Sequence, residues 1–170
     1  MKRTLLLALA VAASTATVAS ADHLFEFGAI INGDQQVPAN ASPAMGNMTG
    51  TYDSIANSFT FSWDISDNLI GMPSSPGAHI HQGAAGTNGP VLFAFNNPDG
   101  TWDLSGSDTW TDLTDSQVDA LFNGGLYLNF HTDDFPGGEV RGQIFAIPAP
   151  GATGILAGAG LMALRRRRRA

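Results

Sequence analysis

Phe59, Phe61, Trp63 and Ile65 alternate with Ser58, Thr60, Ser62 and Asp64. A period of two puts the four apolar side chains on one face of an extended chain and the polar ones on the other, the pattern of a half-buried β-strand. The rest of residues 22–147 follows suit, with short apolar runs between clusters of Gly, Asn, Asp, Ser and Thr. His23–Ile31, Gly46–Asp53, Asn57–Ser66, Ala78–Gln82, Val91–Asn96, Leu126–Thr132 and Glu139–Ala146 are predicted strands, at spacings that suit a sandwich or barrel. Asn97-Pro98-Asp99-Gly100 has turn chemistry, because Pro fixes φ and Gly accepts a positive one. One helix is expected. Thr114-Asp115-Ser116-Gln117 reads as a capping box, Val118, Leu121 and Phe122 follow at helical spacing, and Asn123-Gly124-Gly125 ends it. The expected fold is all-β: one antiparallel sandwich of Greek-key type with a single short helix.

Charge is distributed unevenly along the 170 residues. Lys2 and Arg3 open the chain, Arg165 to Arg169 close it, and Arg141 is the only basic residue between them. All 15 acidic residues lie from Asp22 to Glu139, so residues 22–147, with Arg141 as their one basic residue, carry a net charge of −14. Such a surface does not bind nucleic acid, since phosphate recognition needs a basic face. The absence of cysteine excludes a thiol nucleophile, a disulfide framework and zinc-finger chemistry. About 126 residues remain between the termini, enough to bury a core in one domain without disulfides.

Both ends read as targeting segments. Residues 1–21 have a positive start, an apolar stretch from Leu5 to Ala13, and Ala19-Ser20-Ala21 as a cleavage site before Asp22. The apolar stretch is too short to span a membrane. At the other end, Ile147 to Leu164 is apolar and five arginines follow. As a helix it reaches about 27 Å, just short of a hydrocarbon core, and arginines snorkel to close such a gap. The positive-inside rule keeps Arg165, Arg166, Arg167, Arg168 and Arg169 cytoplasmic, with the acidic domain across the membrane. A plain tail anchor and a disordered basic tail are the alternatives.

Pro148-Ala149-Pro150, the short apolar stretch and the terminal arginine cluster resemble the PEP-CTERM sorting signal of exported bacterial proteins, with Ala149 where glutamate is usual. The resemblance implies an exosortase-type processing enzyme as partner, transient membrane association, and delivery to the cell surface or extracellular matrix.

Four histidines are present: His23, His79, His81 and His131. Strand geometry projects His79 and His81 from one face, about 6.6 Å apart along the chain, so two imidazoles can converge on one ion. Gly83-Ala-Ala-Gly-Thr-Asn-Gly-Pro90 follows and can bring backbone close to such a site. Alternation groups His131 with Tyr127 and Asn129, on the more polar face of its strand. The turn from Asp133 to Gly138 then returns the chain so that Glu139, Arg141 and Gln143 share a face near His131. His23 is a bystander beside the cleavage site. The plain alternative is that all four are solvated or hydrogen-bonded strand residues. No calcium loop and no catalytic triad are recognisable.

Ala78-His-Ile-His-Gln-Gly-Ala-Ala-Gly-Thr-Asn-Gly-Pro-Val-Leu-Phe93, Gly125-Leu-Tyr-Leu-Asn-Phe-His-Thr132 and Gly137-Gly-Glu-Val-Arg-Gly-Gln-Ile144 resemble the CHRD (chordin-type) domain, and Gly33-Asp-Gln-Gln-Val-Pro38 is similar to its first turn. The likeness spans residues 24–147. A fainter one, to copper–zinc superoxide dismutase, implies a superoxide-dismutase-like or immunoglobulin-like sandwich. By that likeness His79, His81 and His131 match three copper ligands and Arg141 the arginine beside the metal. The bridging histidine, the zinc-site histidines and the disulfide of that family are missing.

The domain is thus expected to hold one Cu(II), or less tightly Zn(II), through His79, His81 and His131, with Glu139 and Arg141 as supporting or electrostatic partners. A structural or adhesive role in an extracellular polysaccharide or protein layer is the first alternative. A dismutase-like enzyme is the second, disfavoured by the missing ligands.

Overall fold

The alternating segment forms strand β3, Ser58–Ile65, with Phe59, Phe61, Trp63 and Ile65 buried in a computed structural model that describes residues 23–66, 68–96 and 100–148. The expected leader with its Ala21/Asp22 junction, Asn97–Asp99 of the expected turn, and Pro150 and Arg165–Arg169 lie outside these residues. Strand β1 (Leu24–Asn32), a 3-10 turn (Gly33–Gln35) and β2 (Met45–Asp53) precede β3. After it come β4 (Pro73–Gln82), β5 (Val91–Ala94), β6 (Ser105–Thr111), helix α1 (Asp115–Phe122), β7 (Leu126–Thr132), β8 (Val140–Gln143) and β9 (Phe145–Ala146).

The pairing is antiparallel throughout, in the order β5-β4-β7-β8-β1-β2-β3-β6, with β9 added to β1. The described strands thus form one hydrogen-bonded path, where the sequence suggested a sandwich of two sheets. The path curls until its ends meet. Phe93 on β5 stacks on Trp110 of β6 with ring centroids 5.6 Å apart, and Phe95 lies 4.7 Å from Trp63. Aromatic burial rather than backbone bonding therefore closes the sheet.

The interior is continuous. Phe27, Ile31, Phe59, Phe61, Ile80, Leu128 and Phe130 are at most 1 % exposed. Helix α1 inserts Leu121 into this core, and Phe122 meets Phe25, Phe27 and Tyr52 edge-on. Its capping box is present as expected: Thr114 Oγ1 accepts from the Gln117 amide, and Gln117 Oε1 accepts from the Thr114 amide.

Three segments differ from expectation. Strand β6 was not anticipated, because only Trp110 of Ser105–Thr111 is buried and the run carries no apolar alternation. Strand β4 begins at Pro73 rather than Ala78, with an irregularity in its pairing between the two. The final strand is split: β8 pairs with β7, while β9 pairs with β1. No helix among the described residues is long and apolar enough to cross a membrane.

Candidate metal centre

Strand β7 is buried on both faces. Leu126, Leu128 and Phe130 enter the hydrophobic core, as alternation requires. Tyr127, Asn129 and His131 occupy the other face, which is polar but dry, because the two glycine-rich loops fold over it. Gly89 donates its amide to Tyr127 Oη at 3.2 Å, and Asn129 Nδ2 donates to the Gly137 carbonyl at 3.1 Å. Gln36, from the first turn, donates to Asn129 Oδ1 at 2.8 Å.

The neighbouring strand β4 completes the cluster. His79 pairs with Asn129 and His81 with Tyr127 across the ladder, and His131 lies one side-chain step further along the same face. Ring centroids are 5.6 Å apart for His79–His81, 5.1 Å for His79–His131 and 6.5 Å for His81–His131. One nitrogen from each ring lies within 4.8 Å of the other two. The structure thus brings together the three histidines singled out by the sequence. His23 stands apart, near Asp53.

The hydrogen bonds orient these rings. His81 Nδ1 is 2.9 Å from the Gly89 carbonyl oxygen, and His131 Nδ1 is 2.8 Å from that of Pro136. A carbonyl only accepts, so both rings carry their hydrogen on Nδ1 and present the lone pair at Nε2. His81 Nε2 is buried and has no partner, and His79 Nδ1 is likewise buried and unpaired. Asn129 Nδ2 stands 3.4 Å from His131 Nε2, beyond the usual length of a strong hydrogen bond. Buried polar atoms are nearly always paired, and leaving one unpaired costs about 1–3 kcal/mol. Two unpartnered buried nitrogens within one cluster of three rings are donors of the kind a cation site requires.

Burial lowers the pKa of all three rings; at His79 the His131 and His81 rings add to the shift and the Pro76 backbone opposes it, leaving that ring at about 4. At His81 the Gly89 bond opposes the shift and the Arg141 charge adds to it. At His131 the Pro136 bond opposes it. Neutral imidazoles are the ligating form, so the cluster offers lone pairs at neutral pH without first releasing protons. Donors at about 2.1 Å from a shared ion stand about 3.5 Å from one another, so binding draws the rings inward from their widest separation. An all-nitrogen donor set suits copper or zinc.

Arg141 is 1 % exposed and its guanidinium carbon lies 3.5 Å above the Tyr127 ring, on the strand opposite the one bearing His81. Tyr127 also stacks on His81, with centroids 5.0 Å apart and planes 13° from parallel. Arg141 donates to the Thr87 and Ala84 carbonyls and to Gln143 Oε1, which pins the first glycine-rich loop over the cluster. Glu139, fully buried, is placed differently from expectation. Its carboxylate accepts from Ser42 Oγ, the Ile70 and Gly71 amides and Thr132 Oγ1, at 2.6 to 3.0 Å. Burial alone would raise its pKa, but those four bonds win and hold it below the usual value. Its capacity is spent on joining four chain segments, and none of these bonds goes to a histidine.

The carbonyls of Gly89 and Pro136 were not foreseen as ring acceptors. Their signal was the fixed glycine-rich spacing after His81 and His131, since a Cβ at Gly89 would collide with the Gln82 carbonyl oxygen. The sequence matches the CHRD domain family over residues 27–144. The chain belongs to the CHRD family. A comparison with curated proteins finds no match. All three histidines, Glu139 and Arg141 fall inside the matched CHRD region, whereas both expected targeting segments fall outside it.

Proposed function

We propose that this CHRD domain is a metal-binding module that holds one copper or zinc ion through His79, His81 and His131. The observation that carries this reading is the convergence of three neutral imidazoles, His79 and His131 buried and His81 half-buried, two of them with buried ring nitrogens that have no partner. The surroundings support it: Gly89 and Pro136 orient two of the rings through their second nitrogens, the arrangement by which proteins commonly aim histidine ligands. Calorimetric titration of the purified protein with Cu(II) and Zn(II) is the test. One ion per chain is expected, with copper bound more tightly than zinc. His81→Ala and His131→Ala each weaken binding severely and comparably, while His23→Ala leaves it unchanged. Equal copper affinity in wild type and His81→Ala returns the histidines to ordinary strand residues and shifts the reading to an adhesive module.

The termini support an exported setting for this module. The expected leader before Asp22 and the PEP-CTERM-like elements at Pro148, Pro150 and Arg165–Arg169 flank an acidic domain. In this reading an exosortase-type enzyme removes the tail and the domain is left at the cell surface or in the extracellular matrix. Dismutation is not part of the proposal, because no bridging imidazole is available to move a proton.

A further inference from the structure

We infer that the three-histidine centre selects monovalent copper, taking Cu(I) in preference to Cu(II) or Zn(II), because its donors are neutral and the charged group packed beside it is a cation. The inference rests on the reading that these histidines hold an ion and concerns which charge state of the ion they hold.

The donor set comes first. Among the described residues the converging group comprises three histidines, with no carboxylate in it, and the chain has no cysteine. Bound ions therefore keep their full charge. The desolvation cost of an ion grows as the square of its charge, so a divalent ion loses about four times as much as a monovalent one on entering the same low-dielectric site. Proteins that bury Zn(II) or Cu(II) usually offset this with an anionic ligand or a bound water. Among the described residues Glu139 is the one buried carboxylate, and it is committed to Ser42, Ile70, Gly71 and Thr132, while Asp133 and Asp134, closer in sequence to His131, are exposed.

The second observation is Arg141. It is buried, and among the described residues its hydrogen bonds go to two carbonyls and an amide oxygen, so no carboxylate neutralises it. Tyr127 is in contact with both Arg141 and His81, so a full positive charge sits one ring away from a ligand. The group between that charge and the ligand is a buried ring rather than water, so the repulsion between the guanidinium and a bound ion is only partly screened. A divalent ion feels that repulsion twice. The third observation is coordination number: three rings from two adjacent strands supply three donors, which satisfies Cu(I), whereas divalent copper and zinc seek a fourth.

The test measures both copper states on the full chain. Cu(I) is titrated anaerobically against a chromophoric Cu(I) chelator, and Cu(II) against glycine. Cu(I) is expected to bind about a hundredfold more tightly, and voltammetry of the copper-loaded protein to give a midpoint above that of the aqueous copper couple. Arg141→Gln removes the charge and narrows the preference by about tenfold or more, while Arg141→Lys retains it. Should Arg141→Gln fail to fold, the wild-type midpoint decides alone. Cu(II) bound as tightly as Cu(I) through the same three histidines overturns the selectivity and leaves the metal centre standing. Failure to bind either ion overturns both.

Discussion

His81 donates its Nδ1 hydrogen to the Gly89 carbonyl across 2.9 Å, and this bond settles where the ring's lone pair points. The loop can deliver that carbonyl only because residue 89 has no side chain, the Gln82 carbonyl oxygen occupying the space a Cβ would need. Gly89→Ala should therefore displace the loop and release His81. Metal affinity is expected to fall by about 10–100-fold, the usual cost of losing a supporting contact behind a ligand. Competition titration checks this, with a thermal melt to separate misorientation from unfolding.

Glu139 has the opposite profile. Its carboxylate holds four donors from three separate parts of the chain, so Glu139→Ala leaves buried hydrogen-bonding groups unpaired and should cost about 3–5 kcal/mol. Glu139→Gln keeps some of the bonds and should cost less. Chemical denaturation measures both. Metal stoichiometry in whatever fraction stays folded should remain that of wild type. A loss of metal from folded Glu139→Gln would put the carboxylate in the site after all.

The metal-free domain should lose stability as pH falls from about 6.5 to about 4, the interval between the ordinary histidine value and the folded value of His79. In that interval the unfolded chain binds a proton that the folded site refuses, so stability rises with pH. His81 and His131 are shifted in the same direction and add to the slope. Glu139, whose folded value is depressed, contributes stability that is present above 4.5 and lost as pH drops through its folded value. His79 alone supplies at most about 3 kcal/mol of the change. Melts at pH 7 and pH 5 check the sign: a flat profile in wild type, or an equal slope in His79→Gln, contradicts it.

Export is tested by mass. In a host with an exosortase, surface material should begin at Asp22 and lack the arginine-tailed segment. An intact mass that retains Arg165–Arg169 counts against tail removal.

Much of this was legible in the sequence where one physical rule acted alone. Alternation through Phe59, Phe61, Trp63 and Ile65 is the packing of β3, and the capping box at Thr114 is the start of α1. His79, His81 and His131 were readable as a group because strand alternation places side chains whatever the loops do. Legibility ended where long-range packing decides. Strand β6 pairs with β3 through its backbone while burying only Trp110, so no apolar pattern marks it. The closing of the sheet depends on Phe93 meeting Trp110 across 17 residues of chain. Glu139 was expected to face the histidines from its position opposite His131, yet Ser42 and the 70–71 amides lie close enough to claim its oxygens. Polar in sequence also did not mean wet: the Tyr127–Asn129–His131 face is covered by loops whose path the strand itself does not encode.

The central claim is that three imidazoles share one ion. Its most direct measurement is metal content by mass spectrometry of the purified protein, loaded with copper and desalted, beside the triple variant His79→Ala/His81→Ala/His131→Ala. The account predicts one copper per wild-type chain and none in a folded triple variant. The same copper content in both, or none in either, contradicts it.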